Sequence, residues 1–398
     1  MKNFKKTFTQ QESIPEDAIS RAVEILRLGR LHRYNTGPGE VSETALLEVE
    51  YAKYQDAEFC LAVTSGGQSL QIALRAAGVK VGDKILANAY TLAPVPGAIH
   101  AVGGIPVFVE IGDDWLTDIV DLRDKAIKSD AKFFLLSHMR GHIADMDSIC
   151  NICRDLGVVL IEDCAHTMGA RWKGQKSGNF GTIACFSTQT YKHINSGEGG
   201  FLTTNDAKIA ACAVVLSGSY MLYERHLARP STAVFDEIKL ETPNCSSRID
   251  NLRAAILRPQ LLNLDKNIQR WNKRYRVIED ILRDAIGIKV IERTNIEEFV
   301  GSSFQFHVSG GDPQRIPIFI EACYKRGVEI KWFGAEEPNA FTSRYDSWQY
   351  ITETPHLPKT LLVLSTTCDL RVPLTFTDSD CKDIADIISE ESKSFAAQ

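Results

Sequence analysis

The stretch Ser187-Thr-Gln-Thr-Tyr-Lys-His-Ile-Asn-Ser-Gly-Glu-Gly-Gly200 sets a single lysine, Lys192, near Tyr191 and Ile194 and among small residues, away from any basic run. A lysine amine attacks an aldehyde only after losing its proton, and burial or nearby positive charge promotes that loss. Upstream, in Leu160-Ile-Glu-Asp-Cys-Ala-His166, the acid Asp163 follows the apolar run 158–161. That run predicts a strand, so the carboxylate emerges at the strand's carboxyl end, where ligands bind in open α/β sheets. Singly, the lysine also reads as a solvated surface group and the acid as a helix cap. As a pair they read as a pyridoxal phosphate site, with the amine for the cofactor's aldehyde and the carboxylate to keep its ring nitrogen protonated.

Working outward, Val63-Thr-Ser-Gly-Gly-Gln-Ser-Leu70 follows the apolar run 59–63 and leads into 70–77, which is spaced like a helix. Small residues at a strand-to-helix turn, here Gly66 and Gly67, let backbone N–H groups approach a phosphate at the positive end of the helix. A capped helix behind a flexible loop is the plainer reading of the same turn. Ser187, closing the strand-like run 183–187, offers the phosphate a hydroxyl donor.

Together, the segments 63–77, His138-Met-Arg-Gly-His-Ile-Ala-Asp-Met-Asp147, 161–170 and 187–206 resemble the DegT/StrS group of sugar aminotransferases, which have the fold type I pyridoxal phosphate architecture. The resemblance implies that Lys192 is the Schiff-base lysine and proton shuttle, that Asp163 pairs with the pyridine nitrogen, and that His166 stands near the ring's phenolic oxygen. It implies also that Ser187 and the Gly67 and Gln68 amides hold the phosphate, and that active sites form between two subunits of a homodimer.

The chain departs from the family pattern at three places. Gly67 stands where a threonine or serine is usual, so one hydroxyl is lost. In Asn88-Ala-Tyr-Thr-Leu92, the position of the aromatic ring that stacks on the cofactor is Leu92; either that aliphatic side chain covers the ring or Tyr90 does, and alignment favours Leu92. In Pro243-Asn-Cys-Ser-Ser-Arg-Ile-Asp250, aligning on Arg248 puts Ser246 where the neighbouring subunit's asparagine reaches the phosphate, with Asn244 as a displaced substitute. Related sugar dehydratases carry histidine in place of the lysine; here the pair is Lys192-His193, lysine first, which is the transaminase arrangement.

Composition is compatible with this. A chain of 398 residues, 44% of them hydrophobic, can bury a large core and divides into two domains. A net charge of −6 without a basic cluster speaks against nucleic acid as a partner. No apolar run approaches the ~18 residues of a membrane span, and Met1-Lys-Asn-Phe-Lys-Lys-Thr-Phe8 lacks the apolar core of a signal peptide, so a cytoplasmic protein is expected. Cys150-Asn-Ile-Cys153 is the sole CxxC among ten cysteines; it lies in a predicted helix with no second pair at zinc-like spacing, so no metal is expected. Cys164 and Cys185 read as small buried packers.

Strand-like runs at 85–87, 106–109, 133–137, 158–161 and 184–187 alternate with helices such as 95–101 and 146–156. This predicts an α/β fold with a mostly parallel central sheet covered on both faces. A helical stretch over 250–284, with Pro259 predicting a break, leads to a smaller C-terminal α+β domain. Its predicted strands are 303–308 and 328–332, and its helices 318–326 and 378–394. The expected domains are 1–255 and 256–398.

For the substrate, Arg33 and Tyr34 belong to a polar, aromatic segment that the resemblance places near the site mouth; a solvated loop before a helix over 40–54 is the competing reading. Tyr90, His193, Arg248 and Trp332 are further candidates, with Arg371, Lys331 and Trp348 behind them, since arginine grips carboxylates and aromatic faces suit sugar rings. His138, Arg140 and His142 lie near the site by topology.

The resulting expectation is a ping-pong aminotransferase that takes an amino group from L-glutamate, as the resemblance implies, and delivers it to a keto or aldehyde carbon of a sugar-like acceptor. A regulatory protein that binds the cofactor without turnover, and a transaminase for a small non-sugar oxo compound, stay open at this point. A Rossmann dinucleotide enzyme would need G-x-G-x-x-G, which Ser65-Gly-Gly-Gln-Ser69 does not supply.

Overall fold

The computed structural model describes residues 2–310 and 312–396. Among the described residues, nine strands precede residue 205: β1 Phe59–Val63, β2 Lys84–Asn88, β3 Ile105–Val109, β4 Phe133–Ser137, β5 Val159–Asp163, β6 Arg171–Trp172, β7 Gln175–Lys176, β8 Ile183–Ser187 and β9 Gly200–Thr204. Five follow residue 287: β10 Ile288–Lys289, β11 Glu297–Glu298, β12 Ser303–Val308, β13 Lys331–Trp332 and β14 Thr367–Arg371.

Seven of these form the central sheet, in the order β1-β9-β8-β5-β4-β2-β3. The pairs from β8 to β3 are parallel, and β9 alone runs against both of its neighbours, so the expected mostly parallel α/β sheet is what the chain builds. Alternate residues of one strand enter different cores: Phe133 and Leu135 pack with Ile85, Ile161 and Leu202, while Phe134 and Leu136 pack with Ile149, Ile152 and Trp271. Both faces are therefore covered, the condition under which a strand reads as an unbroken apolar run.

Three helices position the front of the molecule: α1 Glu16–Leu28, α2 Glu43–Gln55 and α3 Gly66–Ala76. The Ser42 hydroxyl caps α2 by accepting from Ala45 N at 3.1 Å, so α2 begins three residues later than the predicted 40. At α3 the correction runs the other way. Ser65 caps the helix ahead of its first predicted apolar position, and the glycines are its first turn.

Beyond residue 250 the predicted long helix is two, Asn251–Leu262 and Leu264–Leu282. Pro259 sits inside the first, and the break falls at Asn263, whose side-chain amide donates to the Pro259 carbonyl at 3.1 Å. A four-stranded antiparallel sheet, β10-β12-β14-β13, then packs on the helices Ile316–Lys325 and Asp378–Ala396. Only Lys331–Trp332 of the predicted strand 328–332 pairs as strand. No helix among the described residues is long and apolar enough to cross a membrane.

Candidate active site

Strands β1, β4, β5 and β8 deliver their carboxyl ends to one edge of the central sheet, and the register decides what meets there. Ser137 stands opposite Asp163, and Asp163 opposite Cys185. Asp163 Oδ2 accepts from Ser137 Oγ at 3.2 Å and Oδ1 from Ala165 N at 3.1 Å. Burial pushes the Asp163 pKa up, against the Ala165 amide, the Lys192 charge and the Ser137 hydroxyl, which pull it down. A carboxylate in that balance favours a cationic partner. Its neighbour Glu162 anchors the strand end from the other face, accepting from Gly178, Phe180 and Gly181 amides and pairing with His138 Nε2 at 3.0 Å.

Lys192 occupies the turn after β8, its backbone N–H donating to Gln189 O at 2.8 Å. Its Nζ lies 2.8 Å from His166 Nε2. The Lys192 pKa is lowered to about 7, chiefly by burial, with Asp163 opposing and Arg140 and Arg371 adding to the lowering. His166 is pushed well below its ordinary value, first by burial and then by the Lys192 charge, so it is a neutral acceptor for the amine. The pair has the property required of a nucleophilic lysine, an amine largely free of its proton near neutrality.

At the start of α3, Ser65 Oγ accepts from Gln68 N at 3.1 Å. The first amides of a helix lack intrahelical partners, so with Gln68 committed to the cap, those of Gly66 and Gly67 remain to face a ligand. The expectation for the Gln68 amide is thereby corrected. Its side chain is occupied as well, Oε1 accepting from Ser247 Oγ at 3.0 Å. Close approach explains Gly66, where an added Cβ would lie 2.8 Å from the Ser187 Cβ. At Gly67 the nearest atom would be Ser65 Oγ at 3.8 Å, so nothing there demands glycine. Ser187 Oγ accepts from Gln189 N at 3.3 Å, which leaves its own proton to donate.

These groups line one cleft of about 350 Å³, shared by Gly66, Gly67, Asp163, His166, Ser187 and Lys192, with Leu92 on its wall. Tyr90 is elsewhere. Its ring is buried edge-on against Phe333 at 5.0 Å, among Ile111, Trp115 and Met139.

The remaining expected residues are not brought into this cleft. Arg33 is fully buried, forks onto Glu48 at 2.9 and 2.8 Å, and reaches His226 Nδ1 at 2.9 Å; the Tyr34 hydroxyl binds the same histidine at 2.7 Å. Their polar groups serve an internal network. His193 packs on Trp271 at 5.2 Å and meets Ser302 Oγ at 3.0 Å, with burial holding its pKa at about 3. Arg248 donates to Gly218 O at 2.9 Å and lies over Tyr220, while Asn244 accepts from Ser246 N at 3.0 Å in an exposed loop. Trp332 donates to Ser365 O at 2.8 Å.

Conversely, Ser137, Gln189 and Glu198 line the cleft although no sequence pattern marked them, and Arg140 and Arg371 act on the charge of Lys192. For Ser137 a signal exists in the sequence: it closes the run 133–137 as Ser187 closes its own.

A family model described as the DegT/DnrJ/EryC1/StrS aminotransferase family matches residues 14–389. The chain is 29% identical over 326 residues to a putative L-glutamine:3-amino-2,3-dideoxy-scyllo-inosose aminotransferase of Micromonospora echinospora, covering 80% of this chain and 73% of that protein. It is 33% identical over 275 residues to the dTDP-3-amino-3,4,6-trideoxy-alpha-D-glucose transaminase of Streptomyces venezuelae, covering 68% of this chain and 65% of the relative, slightly under two thirds of its length. Among solved structures, it superposes on the aminotransferase TlmJ of Streptoalloteichus hindustanus with a TM-score of 0.82 at 20% identity over 99% of each chain. It also superposes on PseC of Helicobacter pylori at 0.83 and 17%, over 99% of this chain and 100% of that one. At such identities these two likenesses speak for the fold. The match over residues 14–389 speaks for descent: the chain belongs to the DegT/DnrJ/EryC1/StrS aminotransferase family.

Proposed function

We propose that this protein is a pyridoxal phosphate-dependent aminotransferase that moves an amino group from L-glutamate to a keto or aldehyde carbon of a sugar-like acceptor, in two half-reactions. The observation that carries the reading is the Lys192 amine, with its pKa lowered to about 7, facing a cleft that also holds the buried Asp163.

The residues fit the cofactor. Asp163, short of a cation, would take the ring nitrogen; the Gly66 and Gly67 amides and the Ser187 hydroxyl would take the phosphate; Leu92 would cover a ring face. When bound, pyridoxal phosphate supplies an aldehyde for amines and a ring that withdraws electrons from the substrate carbon. Lys192 would supply the nucleophilic amine and carry the proton, and His166 would hold that amine in place through the contact at 2.8 Å.

For the acceptor, the relatives' names support a sugar or cyclitol: alongside the two above, one is a GDP-perosamine synthase of Escherichia coli O157:H7. Two names carry L-glutamine, which makes it a donor to set beside L-glutamate. A second reading, cofactor binding in a regulatory protein, is supported by 31% identity to a pleiotropic regulatory protein of Geobacillus stearothermophilus.

A homodimer completes the proposal. Val23, Leu26 and Leu28 of α1 and Tyr220, Met221 and Leu222 expose apolar surface that a second copy would bury, and the exposed Asn244–Ser246 loop could then reach its cleft. We place the domain boundary near residue 255 and the protein in the cytoplasm.

The test is spectroscopic. Purified protein with pyridoxal phosphate should show a visible absorbance band that L-glutamate or L-glutamine bleaches and a keto sugar restores. Borohydride should fix the cofactor on Lys192 in a peptide map. Attachment at another lysine, or no response to any amino acid, would sink the transaminase reading, and the latter outcome with bound cofactor would favour the regulatory one.

A further inference from the structure

Arg371 closes β14 and lies over the Tyr191 ring, its guanidinium carbon 3.8 Å from the centroid, with the Phe341 ring at 5.2 Å. Tyr191 immediately precedes Lys192, and the Arg371 charge acts on both Lys192 and His166. The guanidinium therefore lies on the Lys192 side of the cleft, carried there by the small sheet, just outside the residues that line the cleft itself.

Its neighbour Arg140 already has a counter-ion. Arg140 Nη2 donates to Asp369 and its guanidinium covers Phe341 at 4.2 Å. Asp369 is fully buried and also accepts from Gln305 Nε2 at 2.6 Å, so its oxygens are in use. Among the described residues, no carboxylate forms an ion pair with Arg371. Burial, and then the Arg140 charge, pull the Arg371 pKa below the ordinary guanidinium value. A partly buried cation beside a second cation is costly until an anion joins it. The Tyr191 and Phe341 rings pack against the guanidinium, and Tyr191 and Asp369 partly offset the lowering of its pKa; the guanidinium fork matches a carboxylate in two hydrogen bonds.

We infer that Arg371, seated on Tyr191, is the carboxylate-binding residue of the substrate half of this cleft, so that the site selects substrates with an acidic group within reach of the carbon presented to Lys192. The inference rests on the transaminase reading for what that carbon undergoes. The carboxylate has two sources, the amino acid donor and an acidic sugar acceptor, and both present the same two oxygens to the fork.

Calorimetric titration separates them without turnover. The purified protein, with and without added pyridoxal phosphate, is titrated with glutarate as a donor-like probe, glucuronate as an acidic-sugar probe and glucose as a neutral control, for wild type, Arg371→Met and Arg371→Lys. Wild type should bind one or both acids and not glucose. Arg371→Met should weaken that binding ten-fold or more, and Arg371→Lys, which keeps the charge and loses the fork, should fall between. Loss for glutarate assigns the donor, loss for glucuronate the acceptor. Should the methionine variant fail to fold, the lysine variant decides by the same comparison. Equal affinity of wild type and the folded variant, or no binding of either acid by wild type, overturns the inference. Arg371-dependent glutarate binding in a protein whose spectrum ignores every amino acid would instead remove the transaminase reading and leave the carboxylate site in place.

Discussion

The side-chain amine of Lys192 lies 2.8 Å from Nε2 of His166, and burial disfavours the charged form of both. An imidazole protonated only on Nδ1 accepts from the amine and leaves the amine's lone pair for an electrophile. The reactive form of Lys192 is therefore the neutral one. The rate of pyridoxal phosphate capture should fall about ten-fold per pH unit below about 7 and level off above it. Stopped-flow absorbance across roughly pH 5.5 to 9, on the order of one point per half unit, checks this. A plateau extending down to the acid end of that range contradicts it.

The same burial has a cost in stability. Unfolded, Lys192 regains the ordinary lysine pKa of 10.5, so between about 7 and 10.5 the unfolded chain binds the extra proton and the lysine's contribution to stability improves as pH rises. Lys192→Met, which ends the amine chemistry, is expected to raise the Tm of the cofactor-free protein by roughly 2 °C at about pH 7. Differential scanning calorimetry reads the sign directly.

Asp163 raises the Lys192 pKa, so Asp163→Asn should move the midpoint of cofactor capture to lower pH. It should also slow amino transfer by roughly 10² to 10⁴-fold, the span of an acid–base contribution, because the ring nitrogen loses its counter-charge. Ser137→Ala removes only the hydroxyl bond at 3.2 Å and should cost about 0.5–1.5 kcal/mol in the same measurement.

Gly66 and Gly67 are adjacent and should respond oppositely. An alanine at 66 meets Ser187 Cβ at 2.8 Å, and overpacking of that kind costs about 1–3 kcal/mol, or roughly ten-fold or more in cofactor affinity. Gly67→Ser enters open space and should leave affinity unchanged or improve it. Equilibrium dialysis of both variants suffices; equal losses would falsify the cradle described above.

The Arg33–Glu48 pair belongs to stability. Glu48→Ala strands a buried guanidinium and should lower unfolding free energy by about 3–5 kcal/mol in urea titration. Arg33 and His226 hold the Glu48 pKa at about 2 against burial, so the pair's contribution, complete above the ordinary glutamate value of 4.5, is lost as pH falls through about 2.

Asp163, Ser187 and Lys192 were legible because each ends or follows an apolar run whose length marks a strand, and strand ends in a parallel sheet share an edge. Arg140, near the site by topology, and Arg371, a carboxylate candidate, were named from the sequence; what it did not show was the packing around them, since Arg140 meets its partner Asp369 across 229 positions. Arg33 and Tyr34 misled for a related reason. A polar aromatic segment looks the same whether it lines a cleft or closes on a buried Glu48 and on His226, 193 positions from Arg33. The Gln68 amide, expected on the phosphate from the family resemblance, is taken by the Ser65 hydroxyl, the helix cap that the same turn also suggested.

The reversed strand β9 gives the molecule a checkpoint during folding. Gly200 pairs with Val63 on one side and Ser187 on the other, and an added Cβ there would stand 2.8 Å from the Gly66 amide nitrogen. The glycine turn on β1 and the serine on β8 are thus not neighbours until β9 arrives between them; Ser187 and Gly200 are close in sequence, but Val63 and Gly200 are far apart, and pairings of long separation are the slower to close. Capture of the cofactor should accordingly be the last event of refolding, and its absorbance a reporter for a sheet that has finished closing.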